Sequence, residues 1–174
     1  MSEEYVELTK EIARCAHQGQ KDKAGRDYFD AHLVPIAAAA TIFGDEVTAA
    51  AWLHDVMEDT TVTADELLRL GVPPTIVNAV ESVTRRNDES YPDLIARAGG
   101  DPVGRFVKLI DNAWNITSNP VLAATNPERA ESLLNGRYKP ARRRLLRACD
   151  LEEDSPLIRE AQTVLDTCAQ ELTT

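Results

Sequence analysis

The sequence predicts an all-α protein, and three observations carry that reading. Helical periodicity recurs in almost every segment, no segment sustains the period of two that marks a half-buried strand, and the breaks fall at Gly, Pro and capping residues. At 174 residues the chain suits one domain with a sizeable core, built as a bundle of about eight to ten helices.

In chain order, Tyr5, Leu8, Ile12 and Cys15 form an apolar stripe, and Gly19 ends that first helix. The polar run from His17 to about Asp30 is a long loop, the kind that is often functional. His32 stands where the next helix starts, with Asp30 as N-cap and Pro35 in the opening turn, and the alanine tract carries it to about Ile42. Gly44 breaks the chain and Asp45 caps a helix through AAAWLHDVMEDTT, Ala49 to Thr61. Thr63 and Glu66 make a capping box before a segment that stops at Gly71. Pro73-Pro74 open a helix with Ile76, Val77, Val80 and Val83 inward, and Ser90 to Asp93 start a short one ending at Gly99-Gly100. From Pro102 to about Thr117, Phe106, Leu109, Ile110 and Ala113 face the core while Lys108, Asp111 and Asn115 share the other stripe. Asn126-Pro127 start a helical stretch that Pro140 splits in two, and Ser155-Pro156 start the last helix, to about Leu172.

The balance of 19 Lys+Arg against 29 Asp+Glu, a net charge of −10, argues against a general nucleic-acid binder. An anionic substrate would therefore need a local positive device, a metal or a focused Lys/Arg cluster. No apolar run approaches a membrane span and the N-terminus MSEEYVELTK carries no signal-peptide core, so a cytoplasmic protein is expected. Cys15, Cys149 and Cys168 read as reduced, buried thiols. The run from Arg137 to Arg147 reads as an exposed helix face, with anion or partner binding as the alternative.

The Ala49–Thr61 helix concentrates the chemistry. Residues four apart share a face, so His54 stands over Glu58 and Asp55 over Asp59, one polar patch on an otherwise apolar helix. Three carboxylates on a buried face repel one another, and a bound cation would relieve them; a solvated acidic face with an incidental histidine is the other reading. His32, His54, Asp55 and Asp111 stand out as a set, since an Asp amid VKLIDNAW is rarely buried without a partner or a metal. Imidazole plus carboxylate ligands suit Mn²⁺, Fe²⁺, Zn²⁺ or Co²⁺ in an open site.

The order His … His-Asp … Asp resembles the HD superfamily of metal-dependent phosphohydrolases. More narrowly, AHQGQKDKAGRDYFDAH, AAAWLHDVMEDT, VESVT and FVKLIDNAWN resemble successive motifs of the RelA/SpoT hydrolase domain and of the small single-domain SpoT homologues. The resemblance implies one HD-type domain over residues 1–174, with a motif core at about 10–120 and C-terminal helices at 126–174. It implies His32, His54, Asp55 and Asp111 as ligands of one divalent metal, usually Mn²⁺, and Glu58 and Asp59 as the pair that activates water. Lys23, Tyr28 and Asn115 match substrate-binding positions, and Lys108 is a candidate phosphate contact. The activity implied is removal of the 3′-pyrophosphate of guanosine tetra- or pentaphosphate, the nucleotides of the stringent response, giving GDP or GTP and pyrophosphate. Alternatives are an HD phosphohydrolase acting on another nucleotide (a dNMP, a dNTP or the 2′-phosphate of NADPH) or a nucleotide-binding HD domain without turnover. The partner expected is a small nucleotide, with neither nucleic acid nor membrane; the oligomeric state is open, a homodimer included.

Three departures stand out. Asp22 replaces the family's guanine-stacking Arg beside Lys23. One extra residue precedes His32, and the proline comes late, at Pro35. Asn112-Ala113 replace the basic residue after Asp111. The extra residue makes His17 a rival first ligand; otherwise His17 braces the loop.

Overall fold

The computed structural model describes residues 2–173, and among them it is helical, with one isolated bridge, Lys21 to Asp27, closing the first loop. The chain opens with α1 (Ser2–Ala16). A π-helical turn (Phe29–Leu33) leads without a break into α2 (Val34–Ala40) and a 3₁₀ turn (Thr41–Phe43). Then come α3 (Asp45–Leu53), α4 (Val56–Asp59), α5 (Ala64–Arg69), α6 (Pro74–Val83), α7 (Tyr91–Gly100), α8 (Gly104–Thr117) and α9 (Asn119–Ala123). α10 (Pro127–Leu133) runs through a second π-helical turn (Leu134–Tyr138) into α11 (Lys139–Ala148), and α12 (Pro156–Glu171) closes the chain.

Two helices organise the rest. α3 is buried from Val47 to Leu53, a stretch apolar but for Thr48, whose hydroxyl donates to the Gly44 carbonyl at 2.9 Å, and lies against α1, α2, α6 and α8. α8 is amphipathic and packs on α2, α3, α6, α7, α11 and α12, joining the main core to a smaller cluster around Leu109, Leu145 and Ile158. Its entry is tight: a Cβ on Gly104 would stand 2.0 Å from the Ser82 hydroxyl, so only glycine lets α8 approach α6 there.

The local punctuation is as the sequence reads. Thr63 and Glu66 form the reciprocal capping box, and Gly71 takes φ 92° just past that helix. The Ser90 and Asn126 side chains accept from the backbone N–H three residues on. Ile76, Val77, Val80 and Val83 are all buried.

Other expectations are corrected. The helix through Ala49–Thr61 is interrupted at His54-Asp55, between α3 and α4. Gly44 is the N-cap of α3 and Asp45 its first residue, with no side-chain cap. Asp30 lies inside the first π turn, which Tyr28 precedes. Pro140 sits in the first turn of α11, where its missing N–H does no damage, so the irregularity there is the π turn and not a break. In α1 Tyr5, Leu8 and Ile12 pack against the core as read and Thr9 and Ala13 are fully buried, but Cys15 is exposed; Cys149 is buried and Cys168 half-buried. Burial pushes the Cys149 thiol up to about 12, so it is inert near neutrality.

Arg97 ties α6 to α7. Its guanidinium donates to the Glu81, Ser82 and Thr84 carbonyls at 2.7–2.8 Å, satisfying the end of α6, and to both Glu89 oxygens at 2.7 and 2.6 Å. The Arg97 hydrogen bonds hold the Glu89 carboxyl at about 2, below its ordinary 4.5. Replacing Arg97 by Ala is expected to lower unfolding free energy by about 2–4 kcal/mol in urea titrations at pH 7, since several charge-assisted bonds go at once. A group whose folded value is depressed stabilises above its unfolded value and loses that contribution as pH falls through the folded one. The gap between wild type and Arg97→Ala should therefore narrow from about pH 4.5 towards pH 2.

Candidate active site

The interruption between α3 and α4 turns His54 and Asp55 toward α2 and α8. His54 is buried, and its Nδ1–H donates to the Ala51 carbonyl at 2.7 Å, which leaves Nε2 aimed at the cluster. His54 Nε2 lies 3.3 Å from His32 Nε2 and 2.9 Å from Asp55 Oδ2, and His32 Nε2 lies 3.1 Å from that same oxygen. Asp111 Oδ1, from α8, stands 3.8 and 4.0 Å from the two imidazoles.

The first π turn places His32 in this set. The extra residue that precedes His32 falls in this turn, which closes its hydrogen bonds one residue wider than an α-helix does. The helical register is thereby restored and His32 reaches the cluster; His17 takes no part in it.

These donors fit a divalent metal. Ligand atoms bound at about 2.1 Å and at right angles stand about 3.0 Å apart, close to the His–Asp55 and His–His spacings. His32, His54 and Asp55 bring two nitrogens and one carboxylate oxygen close enough to share one ion, which leaves positions open, while Asp111 Oδ1 stands farther off at 3.8–4.0 Å. Without a metal, a proton does the same work. Burial opposes charge on His54, but the Asp55 carboxylate beside it raises the ring to about 9. Burial likewise opposes the Asp55 charge, yet His54 and His32 hold that carboxyl well below its usual range.

Glu58 and Asp59 are exposed at the rim of the cavity over this cluster, each fixed to a different element. Glu58 Oε2 accepts the Arg85 N–H at 2.9 Å, and Asp59 Oδ2 accepts Gln20 Nε2 at 2.8 Å. Gln20 is set in turn by His17, whose Nδ1 lies 2.7 Å from Gln20 Oε1. His17 also stacks on Tyr28 and Tyr28 on His32, with ring centroids 5.2 and 4.9 Å apart, and the Tyr28 hydroxyl donates to Asp55. Tyr28 therefore braces the cluster.

The remaining expected residues surround the same cavity, of about 460 Å³. Asn115 donates to Asp111 Oδ1 at 2.7 Å and to the Asp111 carbonyl at 2.9 Å. Lys108 is buried with its ammonium 2.8 Å from Asp111 Oδ2, so it neutralises that carboxylate. Lys23 is exposed on the loop. Asp22 turns inward on its own loop, accepting the Ala24 and Arg26 N–H groups and the Arg26 Nε at 2.8–2.9 Å. Sequence reasoning missed Gln20, Tyr91 and Tyr138, and read Arg137 as part of an exposed basic run with anion binding only as the alternative; all four are on the cavity wall. Gln20 lay within a motif already noticed; Tyr91 and Tyr138 had no local signal.

An all-α domain with paired histidine and aspartate donors at the break of a central helix is the arrangement that the resemblance to HD phosphohydrolases implies. No family model matches the chain. Over 124 residues it is 32% identical to the guanosine-3′,5′-bis(diphosphate) 3′-pyrophosphohydrolase of Aquifex aeolicus, a match covering 65% of this chain and 17% of that protein. The chain thus spans about a sixth of the length of the curated relative it matches. It superposes with a TM-score of 0.64 and 20% identity on a metazoan ortholog of SpoT described as hydrolysing ppGpp and acting in starvation responses, covering 97% of this chain and 95% of that one. Both findings bear out the resemblance to the RelA/SpoT hydrolase domain, and the structural match shows the shared all-α fold.

If the cluster holds a metal, excess Mn²⁺ should raise the melting temperature. At a hundredfold excess over Kd the linkage is worth about 2.7 kcal/mol, or roughly 5–10 °C for a chain of this size. Asp55→Ala should abolish the shift, and an unchanged shift in that variant would remove Asp55 from the ligand set.

Proposed function

We propose that this chain is a metal-dependent nucleotide pyrophosphohydrolase that removes the 3′-pyrophosphate of guanosine tetra- or pentaphosphate, yielding GDP or GTP and pyrophosphate. The observation that carries the reading is the meeting of His32, His54, Asp55 and Asp111 beneath a cavity rimmed by Glu58 and Asp59. The curated relative named for this activity and the fold shared with the ppGpp-hydrolysing SpoT ortholog support it.

His32, His54, Asp55 and Asp111 would hold the metal, taken as Mn²⁺ by resemblance, which when bound supplies Lewis acidity toward phosphoryl oxygens. The rest falls to the chain. Lys108 and Asn115 fix the Asp111 carboxylate, and Tyr28 fixes Asp55. The protein bonds to Glu58 and Asp59 each engage one oxygen, leaving Glu58 Oε1 and Asp59 Oδ1 with no hydrogen-bond partner among the described residues. One of these accepts a proton from the attacking water as its oxygen bonds to the phosphorus next to the 3′-oxygen. The bond from that phosphorus to the 3′-oxygen breaks, and the 3′-oxygen leaves as a hydroxyl by taking back from the same carboxylic acid the proton it accepted from the water. Lys23, on the loop, meets the phosphates, and Asn115 faces the nucleotide.

Pyrophosphate release from guanosine tetraphosphate, with Mn²⁺ and with EDTA as control, tests the reading against GTP, dNTPs, dNMPs and NADPH. Release from the tetraphosphate alone is expected; orthophosphate from another member would replace the substrate. Glu58→Gln and Asp59→Asn should keep the metal-induced thermal shift, with the more important of the two losing about 10²–10⁴-fold in kcat. Full kcat in both would remove the acidic pair from the mechanism. Gln20→Glu, which sets a second carboxylate against Asp59, should depress kcat more than it changes KM.

A further inference from the structure

The cations around the cavity are not equivalent. Lys108 is spent on Asp111 and Arg26 on Asp22, each at 2.8 Å, and Lys21 lies 3.9 Å from Asp27. Arg137 and Lys23 line the same cavity, and among the described residues no carboxylate lies within ion-pairing distance of either. Arg137 is half-buried and, in a chain with 29 acidic residues, has no carboxylate beside it.

Arg137 is also held in place. Its guanidinium carbon lies 4.8 Å from the Tyr91 ring centroid. It belongs to the second π-helical turn, Leu134–Tyr138, whose Tyr138 carbonyl accepts Asn112 Nδ2 at 3.0 Å. That bond fastens the turn to α8, one residue from Asp111. π turns recur at functional sites, and in this chain the other one carries His32. The rest of the basic run lies elsewhere: Arg143, Arg144 and Arg147 are exposed, and Arg142 pairs with Glu153 at 2.7 Å.

We propose that Arg137, seated on Tyr91, anchors the phosphate group of the substrate that is not cleaved. For the substrate proposed above, on which this rests, that group is the 5′-diphosphate, with the 3′-pyrophosphate lying at the His32, His54 and Asp55 side of the cavity. A planar guanidinium on an aromatic face is pre-organised for two-point contact with phosphate oxygens, whereas exposed Lys23 is a mobile point charge. The site is therefore built for a nucleotide phosphorylated at two separate positions, and a nucleoside carrying only the cleaved group leaves Arg137 without a ligand.

The test compares guanosine tetraphosphate with a guanosine bearing the 3′-pyrophosphate and a free 5′-hydroxyl, using wild type, Arg137→Ala and Arg137→Lys with Mn²⁺. Arg137→Ala is expected to raise KM for the tetraphosphate about tenfold or more, leave its kcat within about twofold, and leave both constants for the 5′-hydroxyl analogue unchanged. Arg137→Lys should recover part of the loss. An unchanged KM in Arg137→Ala overturns the proposal and leaves the pyrophosphohydrolase reading standing; an equal rise for both substrates overturns it too, assigning Arg137 to the base or the fold. A wild-type chain that releases pyrophosphate from neither nucleotide removes the reading itself, and the anchor with it.

Discussion

The structure turns on the Asp55 carboxylate, which is set between two imidazole nitrogens and under a tyrosine hydroxyl. A carboxylate so placed loses much of its hydration, and only near partners restore it. Each partner arrives on a different element: His54 from the end of α3, His32 from the first π turn, Tyr28 from the residue before it. Asp111 on α8 adds a second carboxylate, which brings its own cation in Lys108. The packing of α3 against α2 and α8 is thus also the assembly of a donor set.

The break at His54-Asp55 arises from the same constraint. A continuous helix would place His54 over Glu58 and Asp55 over Asp59 and crowd four polar groups into one column. The structure separates them. His54 and Asp55 turn inward to share donors, while Glu58 and Asp59 stay at the rim, each with one oxygen bonded to a different segment. Groups that must be desolvated and groups that must meet water are divided by one interrupted turn.

The features legible in the sequence were local. Thr63 with Glu66, Ser90, Asn126, Gly71 and the Pro73-Pro74 pair act within four residues, and the structure has them as read. His32, His54, Asp55 and Asp111 were legible as a set because a motif pattern lies on them, although periodicity alone made their helix continuous. The features that were not legible depend on residues far apart: Gln20 meets Asp59 across 39 positions, and Asn112 meets Tyr138 across 26. Neither π turn has a sequence signature, since an extra residue in a helix is visible only by the register that tertiary packing imposes. Arg137 was hidden for the same reason, inside a basic run whose other members face solvent or Glu153.

Asp22 shows how one substitution redistributes charge. Opposite a nucleotide it would repel phosphate, but it folds back on its own loop, where burial opposes its charge and Arg26 holds the carboxyl below its usual range. The pair is neutral, so Arg26 is not free to meet an anion in the cavity. Positive potential on the cavity wall must then come from cations without an internal counter-charge, and among the described residues those are Lys23 on the loop and Arg137 in the second π turn. A loop that has withdrawn its own arginine and a distant helix that leaves one unpaired are two sides of one electrostatic balance.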